Sequence, residues 1–186
     1  MIERSRLRRQ LQLVKNVDVL VLHGSPGSGK TTLARAVSEI LREADLAHGV
    51  IDLDEISPVH PNQGRAFARE NLKAIWPRYA AVPGLRLLLP SVIADEEELV
   101  LLRDALPGAN LAVCELTAPQ TVLKERVTAR EPNEFWQEGL RGWVDVYHAC
   151  NDLDKIRDFL VSTHERSEEA AAREIIDKVG WLAARQ

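Results

Sequence analysis

The sequence predicts one α/β domain in three layers, with a five-stranded parallel sheet between helices. Short apolar runs alternate with longer segments of helical period, which is the pattern of repeated strand–helix–strand units. The chain has 186 residues, 45% of them hydrophobic, which is enough for one such core. No internal repeat or Ser/Gly-rich linker divides it, so residues 1–186 are predicted to form a single domain.

Composition narrows the function classes. The 24 Lys and Arg residues are outnumbered by 28 Asp and Glu residues, whereas a protein that neutralises many nucleic-acid phosphates favours the opposite sign. The two cysteines form no zinc-type pair and no disulfide framework. The charged first nine residues lack the apolar stretch of a signal peptide, and the run 17–22 is too short to cross a bilayer. We therefore expect a cytoplasmic protein, a monomer or homodimer, with no nucleic-acid or membrane partner.

Five apolar runs are the predicted strands: 17–23, 49–53, 85–89, 110–116 and 159–163. A helix is predicted over 65–79, with Pro77 ending or kinking it near Trp76. Further helices are expected to start at Asp95, at Pro119 and near Ser167, because each position carries a residue suited to a first turn. Residues 131–151 are helix-prone but contain Pro132, Gly139 and Gly142, which favours a mobile lid over a core element.

One motif carries the chemistry. A complete G-x-x-x-x-G-K-[ST] phosphate loop follows the first predicted strand and opens a predicted helix. Its members are Gly24, Ser25, Pro26, Gly27, Ser28, Gly29, Lys30 and Thr31, and Thr32 follows them. Such a loop turns backbone N–H groups and a helix N-terminus toward phosphate oxygens. Lys30 is placed for the β- and γ-phosphates and the Thr31 hydroxyl for Mg²⁺, so ATP and Mg²⁺ are the expected ligands.

Two acids end the second predicted strand. Asp52 and Asp54 alternate with Leu53, so both are expected at the carboxyl edge of the sheet, where ligands of parallel sheets bind. One carboxylate, assigned to Asp52, would hold Mg²⁺, and the other, Asp54, would accept a proton from an attacking hydroxyl. The alternative is a solvated cluster of surface acids. The third strand ends in Pro90 and Ser91 without the acid typical of ATP-driven machines.

Arg126 and Arg130 lie four residues apart on a predicted helix and therefore share one face. Two guanidinium groups facing the phosphate loop would spread the charge of a transferring phosphoryl group. The alternative is a helix face with ordinary salt bridges, since glutamates are available nearby.

These features resemble the small P-loop kinases related to nucleoside monophosphate kinases, such as shikimate kinase, gluconate kinase, adenylylsulfate kinase and chloramphenicol phosphotransferase. The resemblance implies that Asp52 and Asp54 serve Mg²⁺ and substrate, and that Arg126 and Arg130 belong to the lid. It also implies that the loop after the fifth strand, with Thr163 and Arg166, packs on the adenine. The glycine cluster of shikimate kinase and the early arginine of adenylylsulfate kinase are missing after the third strand, which argues against both substrates.

Other residues are weaker candidates. His60, Asn62, Arg65 and Arg69 follow the second strand, on the substrate side of related kinases, although a polar loop and an exposed helix face explain them equally well. Aromatic residues near the lid either close over a substrate ring or bury the lid; they are Phe135, Trp136, Trp143 and Tyr147. Trp76, Trp181 and His23 are expected to be packed in the core or at a strand end.

The sequence therefore predicts ATP-dependent phosphoryl transfer to a hydroxyl of a small molecule, with Lys30, Asp54, Arg126 and Arg130 as the catalytic residues. Three alternatives stay open at this point. The first is a nucleotide or polynucleotide kinase, and the second is a toxin-type kinase that acts on nucleotide sugars. The third is a nucleotide-binding switch without enzymatic activity, which would bind ATP tightly and show no acceptor-dependent turnover.

Overall fold

The strands of the described residues form one parallel sheet in which the phosphate-loop strand is central. The structure, a computed structural model, describes residues 17–150 and 152–182. The strands are β1 (Val17–His23), β2 (His48–Val50), β3 (Arg86–Pro90), β4 (Ala109–Thr117) and β5 (Phe159–Ser162), in the order β2-β3-β1-β4-β5. The charged start of the predicted domain (residues 1–9) and Asn151 at the end of the predicted lid lie outside the described residues. The predicted five-stranded parallel fold is confirmed.

Helices cover both faces of the sheet. They are α1 (Lys30–Glu43), α2 (Gly64–Ala80), α3 (Glu96–Ala105), α4 (Gln120–Arg130), α5 (Glu134–His148), α6 (Leu153–Ile156) and α7 (Glu168–Val179). Alternate residues of β1 point to opposite faces: Val17, Val19 and Val21 pack with α2 and α3, whereas Leu20 and Leu22 pack with α1 and α7. The sheet is therefore the middle layer of three, and its carboxyl edge is left for the loops that bind ligands.

Most predicted helix starts are confirmed by caps. The Asp95 side chain accepts a hydrogen bond from the Glu98 amide at 2.8 Å, and the Ser167 hydroxyl accepts one from the Ala170 amide at 3.2 Å. Pro119 is the residue before α4 rather than a residue of its first turn. Trp76 and Trp181 are buried as predicted.

The prediction that Pro77 ends α2 near Trp76 is wrong, because α2 continues to Ala80. Packing on both sides of the proline holds the last turn. Trp76 is buried and donates its indole N–H to the Pro107 carbonyl at 3.1 Å. Tyr79 packs directly against Gly49, on the edge strand of the sheet. These contacts offset the backbone hydrogen bond that the proline cannot make.

Within residues 131–151, Pro132 lies in the break between α4 and α5, but the expected interruption at the glycines is wrong, since α5 runs continuously through Gly139 and Gly142. The Asn133 side chain caps α5 by accepting hydrogen bonds from the amides of Phe135 and Trp136. Val144 then buries itself against α4, among Leu123 and Val127. A cap and a packed face together outweigh the cost of about 1 kcal/mol for each glycine in a helix.

The second strand is shorter than predicted. β2 ends at Val50, and the Asp52 side chain accepts a hydrogen bond from the Asp54 amide at 3.0 Å, which closes a turn over the next residues. The expectation that Asp52 and Asp54 continue the alternation of a strand is therefore wrong, because both lie in a turn. None of the helices within 17–150 and 152–182 is long and apolar enough to span a membrane.

The packing predicts how strongly single side chains hold the fold. Leu88 on β3 is fully buried between the sheet and α1, so Leu88→Ala should lower the free energy of unfolding by about 2–5 kcal/mol. Leu101 on α3 is 52% exposed, and Leu101→Ala should change it by less than about 0.5 kcal/mol. Denaturant titration measures both values, and equal losses would contradict the three-layer packing.

Candidate active site

The phosphate loop (residues 24–31) lies in contact with the backbone of the neighbouring elements. A side chain at Gly24 would place its Cβ 2.6 Å from the Leu116 carbonyl oxygen of β4. A side chain at Gly27 would come 2.7 Å from the Leu123 carbonyl oxygen of α4. Both glycines also have positive φ, 153° and 80°, which disfavours any other residue. The glycines thus allow the loop to lie between β4 and α4.

The loop contains polar groups that have no partner among the described residues. The hydroxyls of Ser25 and Ser28 are buried and have no hydrogen-bond partner among the described residues. Gly29 precedes α1 in a left-handed conformation, and no side chain caps the first turn of that helix. Its first N–H groups therefore stay available, and the positive end of the helix dipole favours an anion there. The free N–H groups at the start of α1 fit the phosphates of a nucleoside triphosphate.

Lys30 lies at the centre of the loop. Its Nζ donates hydrogen bonds to the carbonyls of Gly24 at 3.0 Å and Ser25 at 3.2 Å. Burial lowers the pKa of Lys30 from 10.5 to about 8; Asp54 and Asp52 oppose the shift, and the positive charge of Arg130 adds to it. When a nucleotide binds, the Lys30 ammonium group can exchange its two carbonyl partners for phosphate oxygens.

The two predicted acids lie on different sides of Leu53. The Thr31 hydroxyl donates a hydrogen bond to Asp52 Oδ2 at 2.8 Å, so Asp52 stands beside the residue predicted to bind Mg²⁺. An oxygen pair of this kind suits magnesium, which binds a few protein oxygens together with phosphates and water. Asp54 is exposed and lines a larger cavity beside the loop. The turn after β2 therefore places Asp52 beside Thr31 and Asp54 in the larger cavity.

The larger cavity has a volume of about 450 Å³ and lies between the phosphate loop, α2, α3 and α5. Its wall on α5 is mainly apolar, with Leu140, Trp143 and Val146 beside Tyr147 and Cys150. Ser91, at the end of β3, also lines it. Of the weaker sequence candidates, Arg65 and Arg69 line this cavity, whereas His60, Asn62, Phe135 and Trp136 line neither this cavity nor the one described below.

A buried carboxylate organises the far wall of the larger cavity. Glu98 accepts hydrogen bonds from Arg65 at 2.6 Å, from Arg69 at 2.7 Å and from the Ala94 amide at 2.7 Å. Arg69 is buried, which lowers its pKa, while Glu98 opposes that shift. Arg65 also lies over the ring of Trp143, 5.9 Å from its centroid. Two positive charges and one negative charge leave this wall with one net positive charge.

Sequence reasoning missed the role of Glu98 because its spacing from Asp95 already fitted a helix start. The Glu98 carboxylate binds the arginines and Ala94 instead of closing a reciprocal cap. The only signal in the sequence was a pair of arginines four residues apart, with no acid at matching spacing on their own helix. Pairing across two helices follows from the tertiary structure.

A smaller cavity of about 320 Å³ lies on the other side of the loop, toward β5 and α7. Thr163 and Arg166, assigned to the nucleotide base by resemblance, both line it. Arg126 donates hydrogen bonds to Thr163 Oγ1 at 2.9 Å, to the Thr163 carbonyl at 2.8 Å and to the Gly27 carbonyl at 3.3 Å. Arg126 therefore connects the phosphate loop to the loop after β5, away from the larger cavity.

Arg130 lies where the two cavities meet. It lines both of them, as do Gly27, Gly29 and Thr32 of the loop region. Its charge is also felt by Lys30. The shared face that the spacing of Arg126 and Arg130 predicts is present, since both line the smaller cavity, but only Arg130 reaches the larger one as well.

Comparisons with known proteins place the fold. The family model of the Zeta toxins matches residues 6–75, which include the phosphate loop, Asp52 and Asp54. No curated protein matches the chain. Three solved kinases are similar in structure. APS kinase from Mycobacterium tuberculosis, solved with AMPPNP and APS, has a TM-score of 0.64 at 22% identity over 89% of this chain and 98% of that chain.

A gluconokinase from Sinorhizobium meliloti 1021 has a TM-score of 0.61 at 20% identity, covering 89% of this chain and 93% of that chain. Shikimate kinase from Acinetobacter baumannii, solved with shikimate, has a TM-score of 0.59 at 17% identity, covering 94% of this chain and 99% of that chain. These likenesses confirm the predicted fold, that of the small P-loop kinases.

The lowered pKa of Lys30 predicts proton uptake when a nucleotide binds. At pH 8 about half of the Lys30 side chains are neutral in the free protein, and the anionic phosphates restore the charge. MgAMPPNP should therefore bind with uptake of up to about half a proton at pH 8. Its affinity should fall as the pH rises above about 8, because the free protein then holds fewer protons on Lys30.

Calorimetric titration in two buffers of different ionisation enthalpy measures this uptake. Lys30→Arg is the matched control, because it keeps the positive charge but does not titrate in this range. A binding enthalpy that is the same in both buffers for the wild-type protein would contradict the assignment.

Proposed function

We propose that this chain transfers the γ-phosphate of ATP to a hydroxyl group of a small molecule. The observation that carries the proposal is the pair of cavities that meet at the phosphate loop and share Gly27, Gly29, Thr32 and Arg130. A kinase needs a nucleotide site and an acceptor site that meet at the transferred phosphate. A nucleotide switch needs the first site alone, so a second cavity with Asp54 and two arginines on its walls favours the kinase.

The residues of the loop would bind and orient the nucleotide. Lys30 and the loop amides would hold the phosphates, with Arg126, Thr163 and Arg166 on the side of the base. Thr31 and Asp52 would hold Mg²⁺, which when bound supplies positive charge to the phosphates.

Asp54 would act on the acceptor. It lines the larger cavity within electrostatic reach of Lys30, so a hydroxyl bound there could pass its proton to the Asp54 carboxylate. The hydroxyl oxygen would bond to the γ-phosphorus as the bond from that phosphorus to the β–γ bridging oxygen breaks, and ADP would leave. Arg130 would neutralise charge on the group in transfer, because it lies at the junction of the cavities. Arg126 would position the loop and the base.

The walls of the larger cavity favour a particular kind of acceptor. The net positive charge of Arg65, Arg69 and Glu98 favours a molecule with an anionic group. The apolar wall of α5, with Trp143, favours a molecule that also has an apolar or ring-shaped part. The match with the Zeta toxin family supports a second candidate, the toxin-type kinase that acts on nucleotide sugars, which combine an anion with rings.

A screen with γ-labelled ATP tests the proposal. Its acceptor sets are hydroxy acids and sugar acids, nucleotides, nucleotide sugars and uncharged alcohols of similar size. We expect label transfer to one of the first three sets, and transfer to a nucleotide sugar would favour the second candidate. Asp54→Asn should lower that transfer at least about a hundredfold, the usual contribution of a positioned base, and should still bind MgAMPPNP. Lys30→Ala should lose both.

The matched control is Asp45→Asn, which changes an exposed aspartate in the turn after α1 and should leave transfer unaltered. Tight MgAMPPNP binding with no labelled product from any set would instead favour the nucleotide switch. Equal transfer by the Asp54→Asn protein would contradict the role of Asp54.

A further inference from the structure

Four polar side chains lie in a row across the carboxyl edge of the sheet, and the proposed transfer uses none of them. His23 ends β1 next to the phosphate loop, and Glu115 of β4 is its partner in the parallel register. Tyr147 of α5 reaches down between them, and Arg157 pairs with Glu115 from the end of α6. His23 and Glu115 are buried, so each group in the row needs a partner inside the protein.

The hydrogen bonds of the row run in one direction. The Ile93 amide donates to His23 Nδ1 at 3.0 Å, so the neutral ring carries its proton on Nε2. That Nε2–H donates to the Tyr147 hydroxyl at 2.8 Å, and the hydroxyl donates to Glu115 Oε1 at 3.2 Å. Burial and the charge of Lys30 lower the pKa of His23 to about 3, and burial raises that of Tyr147, so both side chains stay neutral at pH 7.

Helix α5 has few other attachments to the body of the protein. Val144 is its one fully buried side chain among the described residues, and it packs on α4. Asp145 pairs with Lys124, again on α4. Trp143 is half-exposed and lies against Arg65 of α2, and toward solvent the helix exposes Phe135 and Trp136. Tyr147 therefore provides the contact between α5 and the sheet, and it does so three residues from Cys150, at the end of the cavity wall.

We propose that Tyr147 is a positioning residue, whose hydroxyl, held by His23 and Glu115, fixes the α5 wall of the larger cavity relative to the phosphate loop. The inference rests on the proposed function only in taking the larger cavity as the acceptor site. The physical reason is the cost of the alternative. If α5 moves away, a buried imidazole N–H and a buried carboxylate oxygen each lose a partner, and such losses are expensive. The row thus links the acceptor wall to the strand that carries the phosphate loop.

The two cysteines of the chain give a local test that needs no acceptor. Cys150 lines the larger cavity next to α5 and is partly exposed, whereas Cys114 is buried in the core of the sheet. A rise above the wild-type rate at which 5,5′-dithiobis(2-nitrobenzoic acid) labels Cys150 therefore reports opening of the wall, and labelling of Cys114 reports unfolding of the core.

Tyr147→Phe removes the hydroxyl and keeps the ring. In the full chain it should raise the labelling rate of Cys150 about tenfold and leave Cys114 protected, because a lost buried hydrogen bond opens the wall locally. The affinity for MgAMPPNP should stay within about twofold of wild type, since no nucleotide contact is removed. Tyr79→Phe is the matched control: the other tyrosine of the chain has no hydroxyl hydrogen bond with the described residues, and both rates should stay at wild type.

Two substitutions of His23 separate its hydrogen bond with the Ile93 amide from its hydrogen bond with Tyr147. Asparagine places an oxygen near Nδ1 and retains the bond from Ile93, whereas glutamine places an amide nitrogen near Nε2 and retains the bond to Tyr147. His23→Gln should therefore keep the labelling of Cys150 slow. His23→Asn should speed it, though less than Tyr147→Phe, which also removes the bond to Glu115. The double variant His23→Asn with Tyr147→Phe should label at the rate of Tyr147→Phe alone, since Tyr147→Phe already removes the bond to His23.

The proposal is overturned if Tyr147→Phe leaves the Cys150 rate within about twofold of wild type, or raises the Cys114 rate equally. Equal rates for His23→Gln and His23→Asn would also overturn it, and this comparison does not depend on Tyr147→Phe folding. If the wild-type protein does not bind MgAMPPNP, the proposed function is refuted. The labelling rates of the two cysteines would still decide the role of Tyr147.

Discussion

The close approach of the phosphate loop to the backbones of β4 and α4 is the constraint on which the site depends. At Gly24 and Gly27 the space for a Cβ atom is taken by carbonyl oxygens of Leu116 and Leu123. With the loop held there, Lys30 lies at its centre, Thr31 reaches Asp52, and the loop separates two cavities. A side chain at either glycine would push the loop away from β4 or α4, which would disturb the contacts of Lys30, the bond from Thr31 to Asp52 and the boundary between the cavities.

Two arginines that the sequence could not distinguish make different contacts around the phosphate loop. The spacing of Arg126 and Arg130 places both on one face of α4, and the structure retains that face. Arg126 uses its guanidinium on Gly27 and Thr163, which ties the loop to the region after β5. Arg130, one turn further along, stands at the junction of the cavities. A transferring phosphate would meet Arg130, and Arg126 would support the frame around it.

Local sequence patterns predicted the parts of the molecule that depend on neighbours along the chain. The phosphate loop, the apolar period of β1 and the caps at Asp95 and Ser167 all belong to this class. Where the predictions were wrong, distant contacts outweighed local preference. Pro77 does not end α2 because Trp76 and Tyr79 are packed on either side of it.

The candidate site divides in the same way. A short motif marks the groups that hold phosphates, because their spacing along the chain is itself the geometry. The wall of the larger cavity is assembled from α2, α3 and α5, and pairs such as Glu98 with Arg69, or Tyr147 with His23, join residues far apart in sequence. No spacing along the chain predicts such pairs. In the proposed kinase the choice of acceptor would depend on these long-range contacts, which is why the sequence predicts a reaction class without a substrate.

The most direct test of the central claim is a crystal structure of the protein with MgAMPPNP. We predict that Lys30 leaves the carbonyls of Gly24 and Ser25 to bind the terminal phosphates, with Mg²⁺ beside Thr31 and Asp52. Asp54 should then face the terminal phosphate across the larger cavity. A nucleotide bound away from the loop, or Asp54 turned away from the terminal phosphate, would contradict the account.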